Sequence, residues 1–256
     1  MDLSALSCLP LLTHVRFETM GMGSVTTLPP TVRVFLGSLE TSPAYDERWR
    51  NLCSKKWPCM LALNLPATFY MTDERESELA VCMPNLARLH CHLPSSKNGF
   101  SRLGSSLRHL EFHRVWEHTD NLESLSNLSS LTQLRVGGMW LNDETLNRLV
   151  KVCHTTNMPL HTLSLWSHGT SKGQSPLWTP ITMTIDVSCL SVLTSLTALK
   201  LDGPFAGRPY LPNLKHVQLN SGVSTSSAPS SELVLHDLLR PTAPYPRGTF
   251  GHDSVP

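Results

Sequence analysis

The 256 residues contain no stretch approaching the ~20 consecutive apolar residues that span a bilayer. The opening Met1-Asp2-Leu3-Ser4 has no basic cluster, and the apolar residues behind it are spaced instead of continuous, so no secretory leader is read there. No P-loop, H-E-x-x-H or G-x-G-x-x-G is present, so phosphate-cradling, zinc-peptidase and dinucleotide chemistry have no motif to rest on. An enzyme is not expected.

Charge is also scarce. Charged residues make up 16% of the chain, where about 25% is ordinary. The 21 Lys and Arg nearly balance the 20 Asp and Glu, leaving a net charge of +1. A general nucleic-acid binder needs a basic field to neutralise phosphates, so nucleic acid is not the expected partner. Neither a membrane nor a small-molecule substrate is expected. Seven cysteines are an odd count with no C-x-x-C pair, which argues against a disulfide framework. Reduced and mostly buried thiols in a cytoplasmic or nuclear protein are expected instead. The hydrophobic share of 40% separates the chain from disordered sequences.

The sequence does hold a phrase, L-x-x-L-x-L with other apolar residues allowed, that returns along its length. It reads Leu12-Thr-His-Val15-Arg-Phe17, Met60-Leu-Ala-Leu63-Asn-Leu65, Leu86-Ala-Arg-Leu89-His-Cys91 and Leu107-Arg-His-Leu110-Glu-Phe112. It continues as Leu131-Thr-Gln-Leu134-Arg-Val136, Leu160-His-Thr-Leu163-Ser-Leu165, Leu196-Thr-Ala-Leu199-Lys-Leu201 and Leu214-Lys-His-Val217-Gln-Leu219. A looser ninth copy lies at Val32 to Leu36, with an ambiguous frame. The copies begin at 12, 32, 60, 86, 107, 131, 160, 196 and 214, giving steps of 20, 28, 26, 21, 24, 29, 36 and 18 residues. The 36-residue step holds a Ser/Gly/Pro-rich stretch, read as a loop insertion at about 167–180.

Proline stands two residues before the first apolar position at Pro10, Pro58, Pro84 and Pro212, and one residue before it at Pro159. Lacking an N–H and restraining its predecessor, it ends what precedes the strand. Upstream, Asp46-Glu-Arg, Asp73-Glu-Arg and Asp143-Glu-Thr open apolar-periodic runs that read as helices, with Thr72 and Asn142 as N-caps. The spacing of Leu122, Leu125, Leu128 and Leu131, and of Leu3, Leu6, Leu9 and Leu12, suits a tighter turn. Each unit is thus a strand, a turn and a convex segment that cannot bury its apolar face without neighbours.

Over roughly residues 3 to 220 these phrases resemble the leucine-rich-repeat family. The 26-to-29-residue copies are similar to its ribonuclease-inhibitor-like subtype. The resemblance implies an α/β solenoid, a horseshoe with a curved parallel sheet of about nine short strands, and a macromolecule bound on the concave face. The family's asparagine after the phrase is replaced by residues such as Met20, Thr68 and Met139, which implies an irregular array. The domain reading is 1–220 for the repeats, then a Ser/Pro-rich tail at 221–256 in which 232–239 fits a short capping helix. The chain opens on repeat leucines without a distinct N-terminal cap, which fits a degenerate cap or a piece of a longer protein.

Strand alternation turns the third, fifth and seventh positions of each copy outward. Six of the twelve histidines fall there. Stacking in register sets His90 beside Glu111 and His92 beside His113, with His109 and Arg88 at the edge. Imidazole and carboxylate suit zinc, histidine titrates near neutral pH, and the same residues also serve as plain polar contacts. The reading adopted is contact with a protein partner, without metal or cofactor. Arg16, Arg135 and Lys200 join the candidate surface, as does Trp166, either an exposed anchor or a ring covered by the insertion. The function expected is a protein-interaction scaffold. The alternative is a substrate-recognition or regulatory subunit of a larger enzyme complex, such as a ubiquitin-ligase adaptor resembling F-box leucine-rich-repeat proteins. Asn127-Leu-Ser129 matches the glycosylation sequon but is read as silent.

Overall fold

The computed structural model describes residues 6, 8–20, 28–39, 45–65, 71–94, 96–112, 119–137, 141–167 and 184–220. Nine strands build one parallel sheet in chain order: β1 (His14–Met20), β2 (Val34–Leu39), β3 (Ala62–Asn64), β4 (Arg88–His90), β5 (His109–Phe112), β6 (Gln133–Gly137), β7 (Thr162–Trp166), β9 (Ala198–Asp202) and β11 (His216–Asn220). The two-residue strands β8 (Ile185–Asp186) and β10 (Phe205–Ala206) pair with each other as a separate parallel ribbon. Each of the nine apolar phrases supplies one strand of the large sheet. The arrangement is that of a leucine-rich-repeat solenoid.

The register follows the phrases. His14, Val34, Ala62, Arg88, His109, Gln133, Thr162, Ala198 and His216 stand on one rung. All are third positions. The ambiguous frame at Val32 is settled because Phe35 pairs with Val15 and Leu63, and both Val32 and Phe35 are buried. A slip of one residue would have turned Phe35 to solvent.

Each strand starts on the same device. The Thr13 carbonyl accepts from the N–H groups of both Arg33 and Val34, and the pattern repeats at Arg33, Leu61, Ala87, Arg108, Thr132, His161 and Thr197. Just before it a four-residue turn closes, from Met60 N–H to the Trp57 carbonyl, Leu86 to Met83, Leu131 to Leu128 and Leu214 to Leu211. Pro58, Pro84 and Pro212 take the second place of that turn, where their fixed φ is wanted and their missing N–H is not. Pro30 does the same before Val32, whose N–H donates to Pro29.

The segment between strands depends on its length. The 28-, 26- and 29-residue steps carry α1 (Tyr45–Cys53), α2 (Asp73–Cys82) and α3 (Asp143–Thr155). The steps beginning at 107 and 160 carry 3-10 helices, Thr119–Asn127 and Ser188–Val192. Thr72 and Asn142 cap α2 and α3 as expected, accepting from the N–H groups of Arg75 and Thr145. In α3, Leu146, Leu149, Val150 and Cys153 face inward.

Those faces meet the apolar positions of the sheet. Leu86, Leu89, Leu107, Leu110, Phe112, Leu131, Leu134, Leu160 and Leu163 are at most 2% exposed. Full burial of such a side chain stabilises by about 1.5–3 kcal/mol, and no single coil could supply the cover. Polar groups also tie coil to coil, from the turns that precede the strands. The Asn127 amide donates to the carbonyls of Lys97 and Gly99, Asn85 to Pro58 and Asn213 to Thr194. Buried Glu76 on α2 accepts from the N–H groups of Arg102 and Leu103 at 2.8 and 3.2 Å. Burial pushes its carboxyl above the usual range, against the pull of those two N–H groups.

One expectation changes. The cysteines are not mostly buried: Cys82, Cys91 and Cys153 are, Cys53 and Cys189 are half-buried, and Cys8 and Cys59 lie in exposed turns. No disulfide joins them. The insertion at 168–180, the segment from 221 onward and the run 232–239 lie outside the described residues. Among the described residues no helix is long and apolar enough to cross a membrane.

Candidate functional site

The open face of the sheet, the expected concave one, is written by the third and fifth positions. On the fifth-position rung His90, Glu111, Arg135, Ser164, Lys200 and Gln218 follow one another from β4 to β11. Adjacent strands lie about 4.8 Å apart, so these side chains form a continuous polar row. His90 does stand beside Glu111, and Arg88 beside His109 on the rung above.

Arg135 is the hinge of the row. Its Nη1 meets Glu111 Oε1 at 3.1 Å, and its guanidinium carbon lies 4.9 Å from the centre of the Trp166 ring. The Arg135 side chain is 46% exposed and that of Glu111 19%. The pair therefore sits at the edge of solvent, where screening keeps an ion pair at about 0–1 kcal/mol. What the contact sets is direction: the planar guanidinium is held between a carboxylate and an indole face.

Trp166 is not an exposed anchor. It is buried, at 6% exposure. The ring lies over Gly137 on β6, directly across the sheet, where any Cβ would overlap it, and under the Arg135 guanidinium. His92 corrects the outward reading in the same way, with 3% exposure. Strand β4 ends at His90, so strict alternation no longer sets the position two residues later, and His92 is buried ahead of buried Pro94. Gly137, another seventh position, is buried beneath the Trp166 ring, while Asp202 and Asn220 at the same position are half-buried.

His109 is half-buried on β5. Desolvation first, then the neighbouring positive charge of Arg88, holds its imidazole below the usual range, against a hydrogen bond with Gln133 and the Glu111 carboxylate. Its Nδ1 is buried without a hydrogen-bond partner.

Arg88, His90, His109, Glu111 and Arg135 form one patch on β4 to β6. Arg16 is exposed on β1, three strands from β4, and Lys200 lies two strands from Arg135, about 10 Å away. His113 lies outside the described residues. Among the described residues no three His, Cys, Asp or Glu side chains are placed to hold a metal ion. One G-x-S-x-G string is present, Gly169-Thr170-Ser171-Lys172-Gly173, within the insertion and outside the described residues. Such a string acquires chemistry only on a strand–turn–helix elbow. Two outward positions that the repeat count gives, but that were not among the candidate contact residues, belong to the site. Gly137 was visible as the one seventh position with no side chain, facing a tryptophan one copy on. Asp202, paired across the sheet with Trp166 and bonded to the Asn220 amide, adds a second carboxylate near Lys200.

No protein-family model matches the chain. No curated protein matches it either. Among solved structures, a chain of the crystal structure of a TLR13–ssRNA13 complex is similar, with a TM-score of 0.46 and 16% identity over 85% of this chain and 34% of that one. This chain spans about a third of that chain's length. At that level the likeness carries no argument about ligand or activity, and the solenoid reading stands on the sheet itself.

Proposed function

We propose that the chain is a protein-binding scaffold, not an enzyme, and that the partner sits on the open face across β4 to β9. The observation that carries this reading is the in-register polar row of His90, Glu111, Arg135, Ser164 and Lys200, left at the surface while the intervening residues form the core. A repeat array spreads many small contacts over such a surface. The row and the rungs beside it carry both signs of charge, Arg88, Arg135 and Lys200 against Glu111 and Asp202. This suits a protein of mixed charge better than the uniform phosphates of a nucleic acid. The 26-to-29-residue copies, each with its α-helix, support a ribonuclease-inhibitor-like subtype for that part of the array. A cytoplasmic or nuclear setting is part of the proposal and fits cysteines that form no disulfide.

The test is quantitative capture of interactors on the immobilised chain. Wild type is compared with R88E/R135E on the open face and with K151E on the exposed side of α3. The captured set is expected to fall at least tenfold with the open-face variant and to persist with the α3 variant. Equal retention by all three would sink the reading. Ligase core subunits within the retained set would favour the adaptor alternative.

A further inference from the structure

Cys53 and Cys82 lie away from the open face, on α1 and α2, with their sulfurs 3.7 Å apart. A second contact joins the same two helices. The Trp49 indole N–H donates to the Glu78 carboxylate. Trp49 precedes Cys53 by four residues, as Glu78 precedes Cys82 by four. Residues four apart share a helix face, so the two helices lie side by side with an indole–carboxylate rung and, one turn further, a thiol–thiol rung. Cys82 is buried and Cys53 half-buried. Cys53 lines an open groove of about 400 Å³ with Arg50, Ser54, Ser77, Glu78 and Val81. The inner sulfur is covered while the outer one faces an entrance.

We infer that Cys53 and Cys82 form a reversible dithiol–disulfide site, oxidised by a low-molecular-weight disulfide that enters through this groove. The pair first releases one proton, from Cys82; the Cys82 thiolate then takes the Cys53 proton across the sulfur–sulfur contact as the more accessible Cys53 sulfur attacks one sulfur of the oxidant RSSR, forming Cys53–S–S–R and expelling RS⁻, which takes up the proton first released. Cys82 then attacks the Cys53 sulfur, closing the Cys53–Cys82 bond. The second RS⁻ leaves and takes up the proton of Cys82. The protein loses two hydrogens, and the oxidant is reduced to two thiols. A disulfide needs its sulfurs about 2.05 Å apart. The closing movement from 3.7 Å is therefore under 2 Å, within reach of side-chain torsion and a small helix shift. The hydrogen bond between the sulfurs draws the Cys82 thiol below its ordinary range and holds the Cys53 thiol above it. One proton is thus shared by the pair and the other is released more readily. Exposed Cys59, in the turn before β3, serves as an internal control.

The full chain is equilibrated in glutathione buffers of increasing oxidised fraction, trapped by alkylation, digested without reduction and mapped by mass spectrometry. The expected product is a linked peptide pair carrying Cys53 and Cys82, two hydrogens lighter than its parts, which disappears on return to reduced glutathione. In C82S, Cys53 should stop at the mixed disulfide and gain one glutathione. The inference is overturned if wild-type Cys53 accumulates as a glutathione adduct without the link. It is equally overturned if both cysteines stay alkylated in a buffer that already modifies Cys59. The wild-type map decides the matter even if C82S fails to fold.

Discussion

Replacing Gly137 by alanine tests the packing that aims Arg135. A Cβ at this position would overlap Cδ2 and Cε2 of the Trp166 ring and also the Trp166 carbonyl oxygen. Turning the indole aside relieves only the first of these, so β6 and β7 must also separate. Overpacking of this kind costs about 1–3 kcal/mol, and the backbone part places it in the upper half of that range. Moving the ring also loosens the Arg135 contact at 4.9 Å, which is partly exposed and contributes about 0.5–1 kcal/mol. The expected destabilisation is about 3 kcal/mol. For a chain of this size that lowers Tm by roughly 6–12 °C. The assay is thermal unfolding followed by circular dichroism, with tryptophan emission recorded alongside and expected to shift to the red. In a W166A background the ring overlap is absent, so the added cost of G137A should shrink, leaving the part due to the carbonyl. A G137A chain with Tm within about 1 °C of wild type and unshifted emission would refute the reasoning, because the indole could not then lie over residue 137.

Four further outcomes, at three residues, follow from the same structure. Glu76→Ala strips the acceptor from the N–H groups of Arg102 and Leu103 and should cost about 2–4 kcal/mol in urea unfolding. Because burial raises the Glu76 carboxyl, its protonated form is favoured by folding. Its contribution is complete below the unfolded value of about 4.3 and is lost as pH rises through the folded value. Glu76→Gln should therefore be at least as stable as wild type at pH 7 and lose that advantage near pH 4. His109 has the opposite sign. Its lowered folded pKa means that the unfolded chain takes up the proton first, so stability is full above about 6.5 and declines as pH falls from there. His109→Gln should flatten the unfolding curve between pH 7 and pH 5, and an unchanged slope would remove His109 as the cause. Leu110→Ala, at 0% exposure in the centre of the sheet, should cost about 2–5 kcal/mol, measurable by the denaturant midpoint.

The frame of the solenoid was open to reading because it rests on short-range rules. Apolar residues three and then two apart, behind a proline-bearing turn, define a strand and its inward face without knowledge of any neighbour. Thr72 and Asn142 announce their helices because a cap acts within one turn. Even the pairing of His90 with Glu111 follows, since stacking identical phrases in register leaves no choice of partner. The patch on β4 to β6 was legible to the same extent.

What required the tertiary structure lies where those local rules end. His92 and Trp166 occupy outward positions by count, yet one has left its strand and the other is received by a glycine on the neighbouring coil. Glu76 sits on a helix face that is otherwise apolar, because the backbone it caps is 26 residues further along. Cys53 and Cys82 meet across 29 residues only because α1 and α2 are rotated to present those faces to each other. Periodicity in the chain determined which residues face the core. Which side chains share an environment was decided by the packing of one coil on the next, because that depends on distances between segments that no single segment encodes.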